Sequence, residues 1–447
     1  MRSKRITQES LFQPVAANHP IGQALKAASK IIDDHPQWLD LIGNDVGQSI
    51  TIAGRNGLSV DSILRCLVLK QFRQLSYREL AFALQDSMSF HQFARLMPDA
   101  SAPSKTTLQT LISRIRPATW EAMNVALIAQ AQREKVEPAQ CIRIDSTVTE
   151  THILEPTDSR LLRDGVRILV RLLRSARKRL GAAEQVPFHN HLRVAKRRER
   201  AIHAQRGDNR KASYQDLIGY VRRTLDYIES AKSVVACDGG IWAIAWTVSV
   251  DHYVKLIEQV IDQAERRVLH GEKVPASDKI VSLFEPHSDI IVKGGRTVQY
   301  GHKLNLATGK SGLVLDAVIE SGNPADSERL LPMLERHIAA HGVTPKQIAV
   351  DGGYASIGNL SRAKRLGAEE VMFHKRKGIE IDAMTSTRRM YYQLKRFRAG
   401  IEAGISYLKR CFGLSRCNWQ GESHFRSYVW SNVFTHNLIV LGRLRPT

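Results

Sequence analysis

At residue 141 the hydrophobic period of the chain changes. Upstream, from about residue 20 to 135, apolar residues recur at helical spacing; Cys141-Ile142-Arg143-Ile144-Asp145-Ser146-Thr147-Val148 alternates instead. Ile142 and Ile144 fall on one face of a half-buried strand, Arg143 and Asp145 on the other. Strand patterns return only at Asp289–Lys293, His302–Thr308, Leu313–Ile319, Gln347–Asp351 and Glu370–His374. Helical patterns occupy Ser327–Ala340 and, over a longer stretch, Thr387–Phe412. Strands first, then strands alternating with helices, predict an α/β domain with a mixed sheet flanked by helices. The block from about 158 to 285 is mostly helical and interrupts the sheet, so it reads as an insertion. The resulting division is a helical region 1–135, an α/β domain built from 140–157 and 286–435, the insertion 158–285, and a C-terminal tail 436–447. No internal repeat is present.

The helical region carries clear start signals. Ser59 opens a run with Ile63, Leu64, Leu67 and Val68 on one face, and Ser76 to Glu79 spells a capping box ahead of Leu80, Ala83 and Leu84. Phe90, Phe93 and Leu96 suggest a short helix. Pro103-Ser104 start a basic helix over Lys105–Arg116, with Leu108, Leu111, Ile112 and Ile115 inward. Such short helices suit a helix-turn-helix with Lys105 against DNA, or equally a plain bundle packed on the α/β domain.

Charge narrows the partner. Lys and Arg number 65 against 44 acids, a net +21 with a pI near 9.9. A field of that sign needs polyanionic company, either nucleic acid or an anionic membrane. No apolar run approaches the ~20 residues of a spanning helix, and Asn437–Leu441 is short enough to be core. Met1–Gln8 is polar and basic without an apolar signal segment. Five scattered cysteines without a C-x-x-C speak for a reducing compartment and against structural zinc. A cytoplasmic, nucleoid-associated DNA-binding protein is expected.

The charge is concentrated in the insertion, where residues 160–211 hold 16 Lys and Arg against 4 Asp and Glu. Arg160, Arg163, Arg167, Arg171 and Arg174 step by three or four along one helical face, with Leu162, Val166, Leu169 and Leu173 on another. A charge run is ordinarily a solvated face. Here few acids relieve the repulsion, and planar guanidinium forks suit phosphate oxygens.

Three acids stand in contexts that could build a phosphodiester-cleaving site. Such chemistry uses two Mg²⁺ ions held by carboxylates on rigid elements. Asp145 ends an apolar strand core ahead of Ser146-Thr147, and Asp351 closes Ile348-Ala349-Val350 ahead of Gly352-Gly353-Tyr354, where glycines permit a sharp turn. Leu394, Phe397, Ile401, Ile405, Leu408 and Phe412 form one apolar helical face, and Lys395, Arg398, Glu402 and Lys409 a stripe beside it. Alone, an Asp at a strand end is ordinarily a turn or cap residue, and an acid among cations an intrahelical ion pair. Order and context together carry the weight.

In this combination the chain resembles the insertion-sequence DDE transposases, which have an RNase H-like core. Asp145-Ser146-Thr147 matches the family's first Asp, Asp351-x-Gly353-Tyr354 its second, and Arg398-x3-Glu402-x6-Lys409 the last three members of its Tyr-x2-Arg-x3-Glu-x6-Lys signature. Lys395 stands at the Tyr position. The resemblance implies Asp145, Asp351 and Glu402 as catalytic ligands of two Mg²⁺ ions, with Mn²⁺ able to substitute. It implies Lys395, Arg398 and Lys409 at DNA, cutting at transposon ends, transfer of the 3′-OH to target DNA, and a homodimer that holds both ends. A nuclease or resolvase of the same core without strand transfer, and a catalytically decayed DNA-binding protein, are the alternatives.

Other signals read as bystanders. Cys237-Asp238-Gly239-Gly240 imitates the second Asp context inside the insertion, and His189-Asn190-His191 only spells a nuclease motif. Asp316, Asp326 and Glu328 read as surface or capping groups, and His302 and Lys303 as possible DNA contacts. Trp242 and Trp246 sit one helical turn apart, which suits core packing better than stacking on an extruded base.

Overall fold

The computed structural model describes residues 4, 19–47, 57–97, 101–181, 186–293, 297–375 and 377–445. The chain separates into two compact units, one built from Met1–Glu150 and His302–Thr447, the other from Thr151–Gly301.

The first unit opens with seven helices: α1 (Pro20–Asp33), α2 (Gln37–Val46), α3 (Val60–Phe72), α4 (Tyr77–Asp86), α5 (Met88–Phe93), α6 (Lys105–Ile112) and α7 (Pro117–Arg133). Ser59 caps α3 by accepting from the Ser62 amide, and Ser76 with Glu79 closes the capping box of α4. α3 is buried all round rather than on one face, Arg65 included. That guanidinium is tolerated because Asp61 lies at 2.7 Å, Asp33 at 3.0 Å and the Ser29 hydroxyl at 2.7 Å. α6 stops at Ile112, short of the expected Arg116, because Pro117 starts α7 and holds Arg116 in extended backbone.

The sheet follows. β1 (Cys141–Thr151) runs parallel to β5 (Gln347–Val350), which runs parallel to β6 (Glu370–Phe373). β4 (Val314–Ile319) pairs antiparallel with the second half of β3 (Thr297–Thr308). Within this unit β3, β1, β5 and β6 lie side by side in that order, with the two-residue β7 (Arg416–Cys417) on β1. α12 (Asp326–His341), α13 (Ile357–Arg365), α14 (Ile381–Met384), α15 (Arg388–Cys411) and α16 (Glu422–Leu444) complete it. This is the mixed sheet flanked by helices that the periodicity predicts. Residues 436–444, set apart above as a tail, instead continue α16, which is buried on every side from Phe425 to Leu441 apart from Arg426 and Val440.

The second unit holds α8 (Asp158–Leu180), α9 (Leu192–Ala204), α10 (Gly207–Ala236) and α11 (Ile241–Ala264), with β2 (Asp289–Lys293) paired antiparallel to the first half of β3. It has its own core, in which Leu162, Val166, Leu169 and Leu173 of α8 are fully buried. Among the described residues no helix is long and apolar enough to cross a membrane. No disulfide joins any of the five cysteines among the described residues.

Two buried histidines should make the first unit acid-sensitive. Burial holds His436 down to about 4, and burial together with the neighbouring His341 ring holds His337 down to about 4. Both are neutral when folded, so their contribution is complete above the unfolded value of 6.5 and is lost as pH falls from there toward 4. The loss is on the order of 3 kcal/mol for each ring. Thermal melts across that window should fall steeply, and His436→Leu should flatten the slope. An equally steep profile in the variant would refute the assignment.

Candidate active site

Asp145 and Asp351 are brought together by strand register. Ile144 pairs with Val350 across the parallel β1–β5 ladder. The next residue on each strand is the acid, and neighbouring strands lie about 4.8 Å apart. Asp145 accepts a hydrogen bond from the Ser146 amide at 2.8 Å, which fixes one carboxylate oxygen. Asp351 leaves β5 in extended backbone (φ −73°, ψ 165°) and begins the short 3₁₀ turn Gly352–Tyr354. The two glycines are needed for proximity rather than for a left-handed turn. A methyl group on Gly352 would stand 2.5 Å from the Lys375 Cβ, and one on Gly353 2.8 Å from the Asp326 carboxylate.

Tyr354 anchors the end of that turn. Its ring is fully buried and its hydroxyl donates to the Asn305 amide oxygen at 2.8 Å. The Asn305 amide donates to Glu320 at 2.7 Å, and Arg329 donates to the same carboxylate oxygen at 2.7 Å. Burial raises the Tyr354 hydroxyl far above its ordinary value, reinforced by Asp326, Asp145 and Asp351. It therefore stays a donor. Gly353-Tyr354 signals a turn in the sequence, but nothing there marks Asn305 or Glu320 as its support.

Glu402 comes from α15, whose apolar face packs as its spacing predicts: Leu394, Ile401, Leu408 and Phe412 are buried. A residue missed by sequence reading fastens this helix to β1. Arg143 donates to the Thr308 hydroxyl at 2.9 Å and to the Phe397 carbonyl at 2.7 Å, and lies over the Phe397 ring at 4.7 Å. Arg143 shares the face of Asp145 in the alternating pattern, which was the available signal.

The three acids meet at one guanidinium. Nη2 of Arg398 lies 3.4 Å from Asp145 Oδ2 and 3.3 Å from Asp351 Oδ1, and Nη1 lies 3.4 Å from Glu402 Oε1. Arg398 is therefore not aligned outward beside Lys395 and Lys409; it is almost fully buried. Among the described residues its Nε is buried without a partner. The contacts are longer than the 2.7–2.9 Å of tight charge-assisted bonds. Three carboxylates around one guanidinium form an all-oxygen donor set that fits a hard divalent cation. Among the described residues no three His, Cys, Asp or Glu side chains are already closed around a common metal position.

The remaining expected residues are placed as follows. Lys395 and Lys409 are half-exposed on α15, and Lys105 is exposed at the start of α6. Of the α8 arginines, Arg163 is held by Glu199 at 2.7 Å and Asp164 at 2.9 Å. Arg160 donates to the Glu155 carbonyl at 2.8 Å, and Arg167 lies 3.3 Å from Asp164 and over the Phe284 ring. Only Arg171 and Arg174 are exposed and without such acids among the described residues, so the unrelieved repulsion expected of the whole row does not exist. His302 and Lys303 turn inward: the first meets the Glu320 carbonyl and the Phe425 ring, the second the Pro324 carbonyl and Asp326. Asp316 is not a surface group but a buried partner of Arg336, at 2.8 and 2.9 Å. Trp246 is buried with Nε1 donating to the Leu172 carbonyl at 3.0 Å, and Trp242 is half-buried beside it.

Residues 285–438 match the family model described as Transposase DDE domain, and residues 13–114 match one described as Transposase domain. No curated protein and no solved structure matches the chain.

Proposed function

Because the chain belongs to the insertion-sequence DDE transposases, with the mixed sheet and flanking helices of an RNase H-like core, we propose that Asp145, Asp351 and Glu402 are its catalytic triad. The observation that carries this is their convergence, from two adjacent strands and one helix, on the Arg398 guanidinium. The three acids would hold two Mg²⁺ ions, with Mn²⁺ able to substitute. When bound, such ions activate a water or a 3′-OH as nucleophile and offset the charge that builds on the phosphorus.

The protein's own groups do the rest. The β1–β5 register and the Ser146 amide set the two Asp carboxylates before any ligand arrives, and Arg143 holds α15 so that Glu402 closes the set from the third side. Arg398, once its carboxylates are otherwise neutralised, is free to turn to the scissile phosphate, where a guanidinium stabilises developing negative charge. Lys395 and Lys409 flank it on the same helix. Two displacements follow at each end. Water first breaks the phosphodiester to leave a 3′-OH, and that hydroxyl then attacks a target phosphodiester, forming one P–O bond as another breaks. Both ends must be held together, so the working form is a homodimer on DNA. Residues 1–135 and the insertion 158–285 would supply grip, and the enzyme would act in the cytoplasm on the nucleoid.

The test is a DNA duplex carrying the element's own ends, incubated with the full chain and Mg²⁺. Cut ends followed by joined target products are expected. Cut ends without joining would reduce the assignment to a nuclease of the same core, and no product with Mg²⁺ or Mn²⁺ would reject it.

A further inference from the structure

The insertion was expected to hold DNA through the arginine row of α8, yet a second concentration of cations lies elsewhere in the unit. A cleft of about 620 Å³ opens between the first turns of α10 and the segment that follows α11. Arg210 and Lys211 stand on one wall; Arg267, Lys273 and Lys279 line the other. These five cations come from segments about 60 residues apart, so no periodicity in the sequence announces them.

The cleft has fixed geometry on the second wall. α11 ends in a five-residue π-helical turn, Glu265–Leu269, a widening that recurs at functional sites. Asp158, buried at the start of α8, accepts from Arg267 at 2.8 Å and from the Gln263 amide at 2.9 Å, so Arg267 is held in place. The one other acid on the lining, Glu272, is engaged by Arg266 at 2.9 Å. Among the described residues Arg210, Lys211, Lys273 and Lys279 form no salt bridge. Lys279 titrates below the ordinary lysine range, first through burial and then through Arg267, with Lys273 adding to the effect against Asp158. The five cations therefore outnumber the two lining acids, Asp158 and Glu272, and leave a positive surplus in the cleft.

We propose that this cleft is a phosphate-binding site that holds the backbone of DNA in the insertion, separate from the acids at Arg398. Charges spread over two walls suit several successive phosphates better than one small anion. Long lysine and arginine side chains grip phosphate oxygens without reading bases, so the contact is independent of sequence.

The experiment is DNA binding by the full chain over a range of salt concentrations, with a short duplex of arbitrary sequence. Lys211→Gln/Lys273→Gln/Lys279→Gln is compared with wild type and with Arg171→Gln/Arg174→Gln, the two exposed arginines of the α8 row. Arg267 is left intact so that Asp158 keeps its partner. The expected result is a salt slope shallower by about 2 to 3 and affinity lower by roughly 10- to 100-fold at low salt in the triple variant, with unchanged melting temperature and a smaller effect in the double variant. Inorganic triphosphate is the second probe. If it binds wild type and not the triple variant while the DNA slope is unaltered, the site takes free polyphosphate and the proposal is overturned. A DNA slope and affinity equal to wild type overturn it as well. Repeating the titration on Asp351→Asn keeps the two assignments separate, since binding in the cleft and cutting at the acids then fail independently.

Discussion

Asp351→Ala is expected to abolish DNA cutting, by about 10³-fold or more, while DNA binding stays within a few-fold of wild type. The size follows from the chemistry: ions held at such a site contribute several kcal/mol of transition-state stabilisation, and each 1.36 kcal/mol is about tenfold in rate. The fold should survive. Asp351 is 40% exposed in its side chain and its backbone is ordinary extended conformation, which alanine adopts freely. Among the described residues its side chain makes one ion pair, at 3.3 Å, and partly exposed pairs of this kind contribute about 0–1 kcal/mol. Binding without metal should if anything tighten, because a negative charge leaves a surface meant for phosphates. Asp238→Ala is the matched control. It removes the acid from the other Asp-Gly-Gly sequence, which is exposed at the end of α10, and should leave cutting unchanged. Comparable activity in Asp351→Ala and wild type, or equal loss in Asp238→Ala, would reject the triad.

The separation of Asp351 from Asp238 shows what was legible. Strand and helix periods located β2, β4, β5, β6, α12 and α15 to within a residue or two, because the two helices bury one face and the strands are short apolar runs bounded by polar residues. The acids were legible for the same reason: two end apolar strand cores and the third borders an apolar helical face. Helices buried on all sides were harder to read. α3 and α16 have no polar face from which a period can be measured, so the ion pairs of Arg65 and the continuation of α16 past residue 436 are invisible without the partners that enclose them.

Charged residues were the other blind spot, since a sequence shows the charge but not its counter-charge. Asp316 looked solvated until Arg336 closed on it, and the α8 arginines looked uncompensated until Asp164 and Glu199 were seen beside them. The opposite error hid the cleft of the second unit, where five cations distant along the chain gather around only two acids. Arg398 combines both cases. Helical spacing placed it correctly on the stripe with Glu402, but only β1 and the end of β5 supply the carboxylates that draw it inward.

That position makes Arg398 the most informative substitution after Asp351. Arg398→Leu keeps much of the buried volume and removes the charge. If the guanidinium occupies the place a divalent cation would neutralise, its loss should tighten Mn²⁺ binding to the DNA-free protein by about tenfold or more. A unit charge near 4 Å is worth about 4 kcal/mol at an effective dielectric of 20, and the pairs to Asp145 and Asp351 are better shielded from solvent than the one to Glu402, whose side chain is 69% exposed. Cutting should nevertheless fall by about 10²-fold, because the scissile phosphate loses a positioned cation in the transition state. Tighter metal with slower chemistry is the signature of a group that exchanges carboxylates for phosphate. An Arg398 that merely braces the acids would give the reverse on the first measurement: the carboxylates would splay apart, Mn²⁺ would bind more weakly, and the exchange would be disproved. Calorimetric titration of Mn²⁺ and single-turnover cutting on the same preparation read both quantities.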